Sequence, residues 1–203
     1  VVARPNPQLP ENRLSDCAPI PEVDSVADLN RITRLPATSE FAGADVGVDV
    51  GLQDGRRLWL FADTLREGAG MVRNSMLVSE DRCLRAVVPD QGGAVIPNRP
   101  RSLVGYWPMS VVRISMPGYD VVPVWAQRVR RSGTGAFGFE TLGPSVAVFV
   151  VRPDGVPQLV AVKDLLPDRA DVSRPMWGAA AVADGEWVYL YGTANRGDTL
   201  GFS

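Results

Sequence analysis

"GADVGVDVGLQDGRRLWLFADT", residues 43–64, sets Asp45, Asp49, Asp54 and Asp63 into an otherwise apolar, alternating run. A carboxylate among Val, Leu, Trp and Phe loses hydration unless something pairs with it, so each acid needs a physical reason. Asp54-Gly55 between two alternating runs is a strong hairpin signal, because Gly takes the positive φ that tight turns require. With residues 53–55 as a three-residue loop and Gly55 at its left-handed position, opposed residue numbers sum to 108. Leu52 then faces Arg56, Gly47 faces Phe61, and Asp45 faces Asp63. Val46, Val48 and Val50 share an apolar face with Ala62, Leu60 and Leu58. A two-residue turn would instead set Asp45 opposite Thr64 and send Asp63 to the other face.

Directly opposed side chains have Cβ atoms about 4.5–5.5 Å apart, and like charges at that range raise one proton affinity. One acid then donates a proton while the other stays ionised, which is the division of labour in glycoside hydrolysis. The competing reading is that Asp45 and Asp63 bond exposed backbone at strand ends. Asp49 lies four residues along the same strand, roughly 13 Å from Asp45, too far to share an ion with it. The spacing also lacks the alternating oxygen ligands of a calcium loop, so no metal or other cofactor is expected. Asp54 reads as a turn residue.

Outward from the hairpin, short runs rich in Val, Trp, Tyr and Phe are punctuated by Gly, Pro and Asp, the pattern of an all-β protein. Strands are expected over 44–52, 56–64, 74–79, 108–115, 121–129, 146–152, 159–163, 178–183 and 187–194, with a short helix over 25–32. "DGRRLWLFADT", "PGYDVVPVWAQ" and "DGEWVYLYGTA" each place a turn before an aromatic strand. Their glycines, Gly55, Gly118 and Gly185, stand 63 and 67 residues apart, room for four strands with long loops. These units read as successive β-propeller blades. Residues 43–203 would then hold about two and a half blades, the third incomplete, and residues 1–42 a Pro-rich extended segment, either laid across the body or a linker. Since a ring closes with at least about four blades, the remaining blades are expected from a C-terminal continuation or another chain.

Composition narrows the chemistry. The 203 residues carry a formal charge of −2 and no basic block, which argues against nucleic acid, and no apolar run is long enough to span a bilayer. Histidine is absent, which removes the usual base of serine and cysteine hydrolases. Cys17 and Cys83 form either one long-loop disulfide in an exported protein or two free thiols.

The segments "ADVG" (44–47), "LWLFADT" (58–64), "VRNSMLVSED" (72–81), "YWPMSVV" (106–112) and "MWGAAAV…VYLYGTA" (176–194) resemble an actinobacterial family of five-bladed propellers, long catalogued as a domain of unknown function, that includes endo-D-arabinanases. The likeness spans residues 30–203. It implies hydrolysis of cell-wall arabinan by two aspartates, which fall on Asp45 and Asp63. Ala44, Val46 and Ala62 depart from the family's Thr, Leu and Gly. The resemblance further implies that Arg73 and Asn74 line the cleft and that Trp107 and Trp177 open the next two blades, either packing between blades or stacking on sugar rings. Asp49 and Thr64, on the same hairpin, are grouped with them as substrate-binding residues. Glu140, in "GFETLGP", reads as a solvated loop acid.

The leading expectation is therefore a secreted or envelope-bound glycoside hydrolase acting on arabinan polysaccharide or oligosaccharide. A non-catalytic propeller that binds glycan or protein is the alternative, and a purely structural subunit is a third.

Overall fold

The structure, a computed structural model, describes residues 9–32, 39–68, 70–134, 138–171 and 173–194. In chain order the strands are β1 (Asn12–Leu14), β2 (Ala18–Pro19), β3 (Gly43–Ala44), β4 (Gly47–Gly51), β5 (Arg57–Phe61), β6 (Thr64–Arg66), β7 (Gly70–Val72), β8 (Ser75–Glu80), β9 (Cys83–Pro89), β10 (Val104–Val111), β11 (Ile114–Met116), β12 (Tyr119–Arg131), β13 (Phe139–Val151), β14 (Gln158–Asp164), β15 (Met176–Asp184) and β16 (Trp187–Thr193). A short helix, α1 (Val26–Ile32), follows Ser25, whose hydroxyl accepts from the Asp28 backbone N–H at 3.2 Å as an N-cap.

Gly55 takes φ +90° and closes a three-residue loop in which Leu52 N–H donates to Arg56 O at 2.7 Å. β4 pairs with β5 from Gly47 opposite Phe61 to Gly51 opposite Arg57, the register that sums to 108. The two-residue turn is thereby excluded. Beyond the aspartates the same sum resumes, with Ala44 opposite Thr64 between β3 and β6. Between the two ladders the alternation breaks at Val46. Its φ of +48° turns its side chain to solvent, 54% exposed, so it does not join Val48 and Val50 against the core. A single left-handed residue rotates every later side chain relative to the earlier ones, which a period-two reading does not foresee.

The chain is all-β, built as several antiparallel sheets. The first runs β4, β5, β8, β9, with β1 and β2 added along the edge of β9; the second runs β10, β12, β13, β14, with β11 extending β10 along β12; the third is the hairpin β15–β16. A small sheet, β3–β6–β7, sits at the end of the first hairpin. Leu58, Leu60, Met76 and Val78 from the first sheet meet Val122, Val124, Ala126, Ala147 and Phe149 from the second in one buried cluster. The third sheet packs on β10, β12 and β13. Gly118 (φ +81°) and Gly185 (φ +57°) close hairpins that correspond to the Gly55 turn in the other two sheets.

The N-terminal segment lies on this body. β1 and β2 pair with β9, and Cys17 is disulfide-bonded to Cys83. Asn12 reaches the second sheet as well: its Nδ2 donates to Pro157 O at 2.8 Å and its backbone N–H to Gln158 Oε1 at 3.0 Å. Residues 1–8 and 33–38 of the expected N-terminal segment, and residues 195–203, lie outside the described residues.

The main strand omitted by the sequence reading is β9. "CLRAVVP" puts Arg85 inside an apolar run that ends in Pro, so it shows no alternation. Arg85 finds a partner in the Ser15 carbonyl at 3.0 Å, and an edge closed by β1 and β2 tolerates the proline. β13 likewise begins at Phe139, so Glu140 lies on a strand instead of a loop, where it pairs with Arg130.

Candidate active site

Asp45 and Asp63 are cross-strand neighbours at the break between the two ladders. Asp45 N–H donates to Asp63 O at 3.1 Å, and Ala62 N–H donates to Asp45 O at 3.0 Å. Desolvation first, and the Asp63 charge second, push the Asp45 carboxyl above the usual carboxylate range. The neighbouring Val46 holds a positive φ that costs a β-branched residue about 1–3 kcal/mol. Such strain persists where the surroundings enforce it, and here it fixes the turn of chain that carries Asp45.

Asp63 has a different environment. Arg73 Nη1 donates to its two oxygens at 3.3 and 3.2 Å, and Trp107 Nε1 donates to Oδ1 at 2.8 Å. The Arg73 guanidinium stands 5.9 Å from the Trp107 ring centroid, and Phe139 meets that ring edge-on at 4.7 Å. Gly105 makes this possible, because a Cβ there would lie 2.5 Å from Arg73 Cγ. Arg73 and Trp107 are thus gathered onto one carboxylate. Phe139 and Gly105 were not singled out in the sequence; the "GYW" run held the only local hint for the glycine.

Thr64 and Asn74 belong to the frame of the site. Both are fully buried. Thr64 Oγ1 donates to Ala62 O at 2.8 Å and shares a 2.7 Å hydrogen bond with Ser75 Oγ. Asn74 Nδ2 donates to Ile96 O at 3.1 Å and Tyr106 O at 2.9 Å, and its Oδ1 accepts from Ile96 N–H at 2.7 Å. Its amide therefore anchors the backbone beside Trp107. Asp49 pairs across the hairpin with Arg57. Trp177, 45% exposed, stands on the third sheet against Gly192, where a Cβ would meet its Cε3 at 3.0 Å.

Asp54 is more than a turn residue. Burial alone would raise its carboxyl, but hydrogen bonds from Arg56 and from the Arg56 and Asp154 backbones pull it below the ordinary value. Arg56 in turn donates to the carbonyls of Gly155 and Arg152 at 2.9 and 3.0 Å, locking the hairpin turn to the second sheet. Among the described residues no three His, Cys, Asp or Glu side chains cluster as a metal centre would need, and no helix is long and apolar enough to cross a membrane.

Fold and site together define an all-β protein of packed antiparallel sheets, with two aspartates paired at a strained strand end. The chain belongs to the family described as Domain of unknown function (DUF5005), whose profile matches residues 32–201. Among solved structures, a crystal structure described as a "putative hydrolase" from Bacteroides ovatus ATCC 8483 is similar, with TM-score 0.56 and 17% identity over 83% of this chain. The chain spans about half (50%) of that structure's length. No curated protein matches the chain.

Proposed function

We propose that the chain forms part of a propeller-type glycoside hydrolase in which Asp45 is the general acid and Asp63 the base or nucleophile. The observation that carries this is the asymmetry of the pair. Asp45 has a raised proton affinity, while Asp63 is ion-paired to Arg73 and accepts from Trp107. Two carboxyl groups in unlike surroundings, one of raised proton affinity, are what cleavage through an oxocarbenium-like transition state uses. Asp45 would protonate the leaving glycosidic oxygen. Asp63 would activate water or attack the anomeric carbon, with Arg73 and Trp107 fixing its oxygens.

The ring is supported by the contacts of β10 with both β4 and β15, each an edge strand of its sheet. In a propeller the first strands line the axis, so Asp45, Trp107 and Trp177, each near the start of such a strand, would gather at one rim. Val182, Trp187, Tyr189 and Tyr191 are exposed on the third sheet, a surface that further blades would cover. The substrate class rests on the resemblance to the endo-D-arabinanase-containing family and is D-arabinofuranosyl linkages of cell-wall arabinan. The described neighbour from Bacteroides ovatus is compatible with a hydrolase. The Cys17–Cys83 disulfide supports an exported or envelope location, where such bonds persist.

A non-catalytic glycan-binding propeller is the second reading, favoured by one observation: Arg73 and Trp107 engage the Asp63 carboxylate as they would a structural acid. Arabinan digestion by Asp45→Asn and Asp63→Asn separates the two. Turnover should fall at least about 100-fold in each with the fold retained; unchanged turnover in both, or no turnover by the parent protein, rejects the catalytic reading.

A further inference from the structure

The small sheet β3–β6–β7 has two unlike faces. On β6, Thr64 and Arg66 are buried, and Leu65 between them is 57% exposed. Met71 on β7, directly opposite Leu65, is 53% exposed. On the other side Leu65 faces Gly43 of β3, where a Cβ would meet nothing within 4 Å. The outer face is therefore an opposed Leu–Met pair beside bare backbone. Exposed apolar side chains are ordinary when scattered singly, but two in direct opposition form a contiguous patch that a bound group can take out of water.

The ladder of this sheet leads to the site. Leu65 pairs with Met71 and Thr64 with Val72, and one further step along the two strands matches Asp63 with Arg73, whose side chains form the 3.2 Å ion pair. Side chains alternate across a strand, so that ion pair shares the outer face with Leu65 and Met71, while Thr64 points inward. Two residues of strand span roughly 7 Å, so the apolar pair begins immediately beyond the Asp63 carboxylate. The sheet is held from its edge: Ala42 N–H donates to Leu65 O at 2.8 Å, and Glu67 N–H to Ser39 O at 3.1 Å. From behind, Thr64 Oγ1 is bonded to Ala62 O and Ser75 Oγ. The face is thus in place before any ligand arrives.

We propose that the Leu65–Met71 face is a sugar subsite, the apolar wall on which one ring of the glycan chain lies while its neighbour stands at the Asp45–Asp63 site. The inference rests on the glycan reading above. A sugar ring carries C–H groups on a face and hydroxyls around its edge. The C–H face covers Leu65 and Met71 and removes their surface from water, and the hydroxyls at the edge stay hydrated. Continuity selects this occupant: the wall stands on the same face of the same two strands as the carboxylate that the substrate must reach, and Gly43 leaves the backbone beside Leu65 open to a flat ring.

The test measures affinity of the full protein and its variants for D-arabinan oligosaccharides of increasing length, alongside turnover and thermal unfolding. Met71→Gln keeps the length of the side chain but puts an amide on the wall, and should weaken binding of long oligosaccharides about tenfold while leaving disaccharides unaffected. Leu65→Asn should show the same length dependence, and Met71→Leu, which keeps the wall apolar, should retain the parental affinity. Equal loss at every length, loss in neither polar variant, or the same loss in Met71→Leu as in Met71→Gln overturns the subsite, while parental turnover still upholds the catalytic reading. Lowered melting temperature or altered mass in solution with unchanged glycan affinity assigns the face to a protein segment and overturns it as well. Length-dependent loss in a protein without turnover upholds the subsite and rejects the catalytic reading. Absence of binding at all lengths by the parent protein overturns the subsite.

Discussion

Trp107 Nε1 donates to Asp63 Oδ1 at 2.8 Å, joining the first strand of the second sheet to the end of the first hairpin, 44 residues away in sequence. This bond ties the orientation of a carboxylate to the packing of two sheets. Trp107→Phe keeps an aromatic ring against Phe139 and removes only the donor. In the proposed enzyme it should lower kcat about tenfold with KM nearly unchanged, because a charge-assisted hydrogen bond contributes about 1.5–3 kcal/mol and solvent screens part of it here. Steady-state kinetics on arabinan check this; a rise in KM alone would mark Trp107 as a stacking platform.

The raised proton affinity of Asp45 sets a pH dependence. As general acid it must be protonated, so activity should fall as pH rises through its elevated pKa. The same shift has a stability sign: the folded value lies above the unfolded one, so the contribution is full below the ordinary carboxylate value and is lost as pH rises through the folded one. Asp45→Asn should abolish the alkaline limb of the activity profile together with most of the activity, and pH-rate measurements would show it.

Asn74→Ala separates support from ligand contact. Removing the side chain strands the Ile96 N–H and the Ile96 and Tyr106 carbonyls in a dry interior, and should cost about 3 kcal/mol. Urea denaturation should register the loss. A stable Asn74→Ala protein with weakened arabinan binding would return the residue to the ligand.

Cys17 and Cys83 enclose a loop with a sequence separation of 66 residues. Replacing both with Ser should destabilise the protein by roughly 2–4 kcal/mol, and the loss should concentrate at β1 and β2, whose amides should exchange faster. Hydrogen exchange with and without reductant is the measurement.

Around Arg128, Asp168 provides an acid-side prediction. Burial works against its ionisation, but hydrogen bonds from Arg99 and Arg128 outweigh it and hold the carboxyl below the ordinary value. A folded pKa below the unfolded one stabilises above the ordinary carboxylate value of about 4, and that contribution is lost as pH falls through the folded value. Asp168→Asn should be less stable at neutral pH and show a flatter loss of stability on acidification.

The sequence by itself determined the first hairpin. Asp54-Gly55 fixed the loop, and the loop fixed the β4–β5 register summing to 108, since turn length and strand period are local properties of the chain. The three turn glycines likewise marked the repeat of hairpin and sheet. Tertiary structure alone decided the rest. Arg73 and Trp107 reach Asp63 only once two sheets pack, Gln127 becomes a buried acceptor only between β10 and β13, and Asn74 spends its amide on backbone that arrives from 22 and 32 residues away. The left-handed Val46 is set by the ladders on either side of it. Partners brought together by packing leave no periodic trace in the chain, because their spacing reflects loop lengths and not the repeat of a strand.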